Sequence, residues 1–124
     1  MLSALIIDDD ADLLEMVGTI LTNHGIKATC VGHADEITEI LKKKKPDIIL
    51  MDIYLGNADG REVCRTLKSS KRFHSIPIIL YSAGQITSAS VNDSKADDFI
   101  SKPFNIRELM RKIGSLIKAK PSAN

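Results

Sequence analysis

Charged residues close three short apolar runs in this chain. Asp8, Asp9 and Asp10 follow Ala4-Leu5-Ile6-Ile7, Asp52 follows Ile48-Ile49-Leu50-Met51, and Lys102-Pro103 follows Phe99-Ile100-Ser101. Each run has the length of a buried strand. In an open parallel sheet covered by helices, the carboxyl ends of the strands form the crevice in which ligands bind. Several acids gathered there repel one another unless a divalent cation neutralises them, and hard carboxylate oxygens favour Mg²⁺ or Mn²⁺. A lysine beside them could hold an anion against that cation. This is a layout for phosphoryl chemistry, which consists mostly of positioning and charge neutralisation.

The elements that must position these groups alternate along the chain. Strands are predicted at Ala4–Ile7, Lys27–Val31, Ile48–Met51, Ile76–Tyr81 and Phe99–Ser101. Between the first two, Leu13, Leu14, Val17, Ile20 and Leu21 recur at helical spacing, and Gly25 offers a left-handed stop. A second helix is expected from Ala34 to Lys44, burying Ile37, Ile40 and Leu41, before Pro46 returns the chain to an extended course. A third begins near Gly60, with Val63 and Leu67 inward. The last takes Asn105 as N-cap and buries Ile106, Leu109, Met110, Ile113, Leu116 and Ile117. Strand and helix in alternation imply right-handed crossovers and a parallel sheet, hence a three-layer α/β/α domain. The stretch from Gly84 to Ser94 is rich in Ser, Thr and Asn, which bond their own backbone, so the fourth helix is expected to be short or irregular.

At 124 residues the chain fits one domain, large enough to bury roughly two thirds of its unfolded surface. Its 44% apolar and 27% charged content is ordinary for a globular protein, and no apolar run approaches the ~20 residues that cross a bilayer. The start lacks the basic flank of a signal peptide, so a cytoplasmic location is expected. Net charge +1 argues against a nucleic-acid partner. Residues 1–119 are assigned to the domain and 120–124 to a polar tail or the start of a linker.

These residues resemble the receiver domain of two-component response regulators, a CheY-like fold of strand order 2-1-3-4-5. The resemblance spans residues 2–118. It rests on Asp8-Asp9 after the first strand, Asp52 after the third, and Asn57-Ala58-Asp59-Gly60 opening a helix. Ser82-Ala83 after the fourth strand and Lys102-Pro103-Phe104 after the fifth complete the set. The resemblance implies that Asp52 is the phosphoacceptor, taking a phosphoryl group from a sensor histidine kinase or a histidine phosphotransfer protein. It implies that Asp9 and Asp52 bind Mg²⁺ directly, Asp8 through water, with the Tyr54 backbone carbonyl as a further ligand. Lys102 would reach a phosphoryl oxygen, its peptide bond to Pro103 being cis. Ser82 and Phe99 would move on phosphorylation, and the surface around the fourth helix, fifth strand and fifth helix would pass the signal to a downstream protein or a fused output domain. Such a module is a phosphoacceptor that assists its own chemistry, not an enzyme acting on another substrate.

The chain departs from the family pattern in three places. Gly56 stands where a proline is usual, Lys95 where a glycine is usual, and the stretch from Ser82 to Lys102 is a few residues shorter than is common. Tyr54 and Gly84 occupy positions that often tune loss of phosphate. Two other functions compete. Ile6-Ile7-Asp8-Asp9-Asp10 also fits the start of haloacid-dehalogenase-type phosphatases, with Asp8 as nucleophile, Asp10 as general acid and Asp97-Asp98 as a late metal pair. A receiver-like adaptor would keep the fold and dispense with phosphorylation.

The remaining charged and polar residues have plainer readings. Asp10 and Asp59 are read as helix N-caps, and Lys42-Lys43-Lys44-Lys45 as cations complementing a helix C-terminus. His24, His33 and His74 lack metal-ligand spacing. Cys30 and Cys64 are read as unpaired core or helix-face residues.

Overall fold

A computed structural model describes residues 2–56, 58–84 and 87–119. The first half of the chain runs β1 (Ser3–Ile7), α1 (Ala11–Asn23), β2 (Lys27–Val31), a 3-10 turn (Ala34–Glu36), α2 (Ile37–Lys43) and β3 (Ile48–Asp52). The second half continues with β4 (Tyr54–Leu55), β5 (Ala58–Asp59), α3 (Gly60–Lys68), β6 (Ile78–Ser82), α4 (Ser88–Ser94), β7 (Asp98–Ser101) and α5 (Ile106–Ala119). The main sheet has order β2-β1-β3-β6-β7 with every pair parallel. Apart from the two-residue strands β4 and β5, this is the expected order 2-1-3-4-5.

The three inner strands β1, β3 and β6 are buried on both faces, so they are almost wholly apolar and alternate between two cores. Leu5, Ile7, Ile49, Met51, Ile78 and Leu80 meet Ile37 and Leu41 of α2 and Cys64 and Leu67 of α3. Ala4, Ile6, Leu50, Ile79, Tyr81 and Ile100 meet Val17 and Leu21 of α1 and Leu109 and Ile113 of α5. Ladder register follows from this burial, because a one-residue slip would turn each core set to the wrong face. Ile7 pairs with Met51, Asp52 with Tyr81, and Ser82 with Ser101. The residues at or just beyond these strand ends, Asp8, Asp52, Ser82 and Lys102, therefore converge at one edge of the sheet.

Boundaries shift where backbone chemistry decides. The fourth predicted strand starts at Ile78 rather than Ile76, because Pro77 has no N–H to give, though its carbonyl accepts from Ile49 N. The second helix opens as a 3-10 turn and ends at Lys43, one residue early. Ile106, expected inward, is 47% exposed, while Ile40 and Val63 are only half-buried. Cys30 lies exposed on the edge strand β2 and not in the core or on a helix, whereas Cys64 is buried in α3; both are free thiols. The hairpin β4–β5 is absent from the sequence reading, since two residues are too few to show a period.

The fourth helix is short, as expected, with Thr87 as its N-cap. Polar ties from α3 hold it. Arg61 donates to Ser90 Oγ at 2.9 Å, Arg65 to the Asp93 carbonyl at 3.0 Å, and Lys68 pairs with Asp97 at 2.6 Å. Lys95 closes the helix in the left-handed region, with φ of 66°. Gly56, at the turn of the β4–β5 hairpin, has φ of 69°, a value proline cannot adopt. Asn57 of the motif that opens the third helix, and the tail 120–124, lie outside the described residues.

Candidate functional site

Asp8 follows β1 and is fully buried. Its Oδ1 accepts the Asp10 N–H at 2.9 Å, and its Oδ2 accepts both the Tyr81 hydroxyl at 2.9 Å and Lys102 Nζ at 3.1 Å. Asp52 ends β3 with 5% exposure; its Oδ1 accepts the Tyr54 N–H at 3.1 Å and its Oδ2 accepts Lys102 Nζ at 3.0 Å. Asp9 is exposed beside them. Carboxylate oxygens of Asp8, Asp9 and Asp52 all lie within 4.8 Å of one another. One lysine is thus shared between two buried acids, with a third acid at the mouth.

The electrostatics follow from that arrangement. Burial pushes the Asp52 carboxyl above its ordinary range, while the hydrogen bonds from Lys102 and the Tyr54 N–H pull it back, and the Asp8 charge raises it further. Burial alone would lower Lys102, but its bonds to Asp52 and Asp8 outweigh that and raise it, so the ammonium stays charged. Burial first, then the neighbouring Asp8, drives the Tyr81 phenol far up, leaving it a neutral donor.

Local backbone features hold the reacting edge in place. The Gly60 N–H donates to the Ile53 carbonyl at 2.7 Å, and a Cβ at Gly60 would overlap the Asp52 carbonyl, so only glycine permits this approach. Ser82 is buried at the end of β6, its Oγ accepts the Gly84 N–H at 3.0 Å, and its carbonyl accepts the Lys102 N–H at 2.9 Å. The Lys102-Pro103 peptide is cis, as the family resemblance implies. Phe99 is half-buried on β7 and lines a cleft with Thr87, Val91 and Asn92 of the α4 region.

Most sequence-predicted site residues come together here: Asp8, Asp9, Asp52, Ser82, Lys102 and the Tyr54 backbone. Others serve the scaffold. Asp10 caps α1 through Asp12 and Leu13, Asp59 caps α3 through Arg61, and Asn105 accepts the Glu108 N–H. Asp97 accepts from Ile78 N and Lys68, at the opposite end of the sheet, and Asp98 accepts from Lys112, so they form no metal pair with Asp8. His24, His33, His74 and the lysines 42–45 are exposed. Tyr81 is the site residue that sequence reasoning missed. Its signal was a phenol in an otherwise aliphatic strand, one residue before Ser82.

The carboxylate set fits a hard divalent cation: three acids with oxygens in mutual reach, two of them buried. Comparison with known proteins points the same way. Residues 4–114 match the family model described as the response regulator receiver domain. The chain is 31% identical over 121 residues to the regulatory protein VirG of Agrobacterium tumefaciens, covering 95% of this chain and 44% of that protein. It is 31% identical over 116 residues to the DNA-binding response regulator MtrA of Mycobacterium tuberculosis, covering 92% and 50%. The chain therefore spans about half the length of the curated relatives it matches. Among solved structures, the signal receiver domain of a histidine kinase from Syntrophus aciditrophicus superposes with a TM-score of 0.86 at 27% identity, over 100% of this chain and 97% of that one.

Proposed function

The chain belongs to the response regulator receiver domain family of two-component signalling, and from that membership we propose that Asp52 is its phosphoacceptor. The observation that carries the proposal is the Asp52 carboxylate at the carboxyl edge of the sheet, 3.0 Å from Lys102 Nζ and within reach of Asp8 and Asp9.

In this reading a carboxylate oxygen of Asp52 attacks the phosphorus of a phosphohistidine on a kinase or phosphotransfer partner. The O–P bond forms as the P–N bond breaks, and the imidazole leaves with a proton from solvent. Asp9, Asp52 and the Tyr54 carbonyl would hold Mg²⁺ directly and Asp8 through water. Bound there, the cation supplies the positive charge that lets an anionic phosphoryl group approach a carboxylate. Lys102 adds a point charge for a phosphoryl oxygen and must leave Asp52 to deliver it. Ser82 Oγ would donate to another oxygen, and that new contact, present only in the phosphorylated state, biases the conformational equilibrium. Phe99, half-buried in its cleft beside α4, is suited to follow that movement.

Several assignments rest on the family alone. We place residues 1–119 in one receiver unit acting in the cytoplasm, with a histidine kinase or phosphotransfer protein as donor. The output is a downstream protein or a fused domain, the latter being consistent with the greater length of the relatives. No helix among the described residues is long and apolar enough to cross a membrane.

Intact-mass spectrometry after incubation with acetyl phosphate and Mg²⁺ tests the proposal on wild type, Asp52→Asn and Asp8→Asn. A Mg²⁺-dependent gain of one phosphoryl group, lost in Asp52→Asn, is the expected result. Absence of an adduct in wild type would favour a phosphorylation-independent adaptor. An adduct that survives Asp52→Asn and vanishes in Asp8→Asn would favour the phosphatase chemistry.

A further inference from the structure

We propose that Tyr81 is a positioning residue for Asp8, holding that carboxylate oriented for the cation when Lys102 departs; the inference rests on the reading of the site given above. Tyr81 is 1% exposed and stands at the end of β6, paired in register with Asp52 and directly before Ser82. Its hydroxyl donates to Asp8 Oδ2 at 2.9 Å, with the Ile7 carbonyl at 3.3 Å as a second acceptor. The same ring lies under the Lys102 ammonium, 5.0 Å from its centroid, and meets the Phe104 ring edge-on at 5.0 Å. One aromatic side chain thus meets Asp8, the Lys102 ammonium and the Phe104 ring that follows Lys102 in sequence.

The physical need is specific to Asp8. Its Oδ2 has two donors, Lys102 and Tyr81, and Lys102 is the one that the cation, and then the phosphoryl group, would displace. A fully buried carboxylate that loses a donor is left with fewer partners for its charge, and an unmet buried charge is costly. The phenol remains after the lysine leaves. It is fixed by its place in an interior strand of the sheet, and it is neutral, so it donates without adding charge to compete with a cation. Outer hydrogen bonds of this kind set the orientation of the carboxylates around a metal, here one that would hold it through water, and their loss costs about 10–100-fold in affinity.

The test is a Mg²⁺ titration of Tyr81→Phe by calorimetry on the unphosphorylated protein, with phosphorylation by acetyl phosphate followed in parallel. Tyr81→Phe keeps the ring, its contact with Phe104 and its place beneath Lys102, and removes only the donor. The expected result is Mg²⁺ affinity about tenfold weaker than wild type, with the phosphorylation rate returning to the wild-type value at saturating Mg²⁺. Phe104→Leu, which removes packing against Tyr81 but leaves the hydroxyl, serves as the comparison. It is expected to melt earlier and to bind Mg²⁺ as wild type does. Unchanged or tighter Mg²⁺ binding by Tyr81→Phe would overturn the inference, as would equal weakening in Phe104→Leu or a rate loss that Mg²⁺ fails to recover. The phosphoacceptor reading fails separately, if wild type shows no adduct on Asp52 whatever Tyr81→Phe does to the metal.

Discussion

Lys102 Nζ donates to Asp52 Oδ2 at 3.0 Å, so the residue proposed to bind the incoming phosphoryl group begins on the nucleophile that must attack it. The ammonium also holds Asp8 at 3.1 Å. It therefore does part of what a divalent cation would do, which is to let buried acids lie close together. Binding of that cation and release of Lys102 would then be two sides of one exchange.

The first prediction concerns that exchange. Lys102→Ala leaves Asp8 and Asp52 without their shared cation, and breaking a buried pair by removing one partner costs on the order of 3 kcal/mol. The variant should melt earlier than wild type in EDTA. It should also gain more from Mg²⁺ than wild type does, because the metal then supplies all of the compensation. A smaller Mg²⁺-induced rise in Tm than in wild type would contradict the exchange.

Asp52→Asn gives a pH signature. Burial raises the Asp52 carboxyl in the folded state, so the folded protein binds that proton more tightly than the unfolded chain, and stability falls as pH rises through the window between the two pKa values. The amide carries no such penalty. Without Mg²⁺, Asp52→Asn should melt a few degrees above wild type at neutral pH, and the gap should close as pH falls toward the ordinary carboxylate range. Melts from pH 7 downward check this; a gap that widens on acidification would refute it.

How much of this was legible beforehand depends on which physical rule decides each residue. Asp8, Asp52 and Lys102 could be read because a charge ending a buried run has only the strand end to occupy, and parallel topology gathers those ends. Asp10, Asp59 and Asn105 could be read because N-capping is local chemistry, confirmed by their bonds to the first-turn amides. Tyr81 could not. Strand periodicity predicts that it is buried, but the partner of its hydroxyl is 73 residues away and set by sheet order. The hairpin β4–β5 and the start of β6 escaped for a different reason: a two-residue ladder has no period, and Pro77 has a hydrophobic context without a donor.

Lys95 supplies the third prediction. It adopts φ of 66° at the end of α4, where its Cβ crowds the backbone and glycine would not. Lys95→Gly should therefore stabilise the protein by ~1 kcal/mol, a net of relieved strain against the added freedom of the unfolded chain. In a chain of this size that is roughly 4 °C in Tm. Lys95→Ala retains the Cβ and should leave Tm nearly unchanged. Equal effects from the two substitutions would show that loss of the lysine charge, and not the backbone, is responsible.

Tyr54 supplies the last prediction. Its backbone N–H bonds Asp52, while its side chain is 59% exposed and its hydroxyl would lie 3.5 Å from a Cβ placed on Gly84, with Ser82 Oγ 3.6 Å from the same point. The phenol thus reaches across to the loop after β6, close to Ser82, and a water attacking a phosphoryl group on Asp52 from that side would meet it. A side chain that excludes water there slows hydrolysis without touching the acceptor chemistry. Tyr54→Asn should shorten the phosphorylated lifetime severalfold and leave Mg²⁺ affinity unchanged, because the cation ligand proposed at this position is the Tyr54 backbone carbonyl and not its side chain. Tyr54→Phe should preserve the lifetime, since the ring is the obstacle. Decay of the phosphorylated mass after removal of acetyl phosphate distinguishes the three proteins, and a lifetime in Tyr54→Asn equal to that of wild type would assign the control of hydrolysis to another residue.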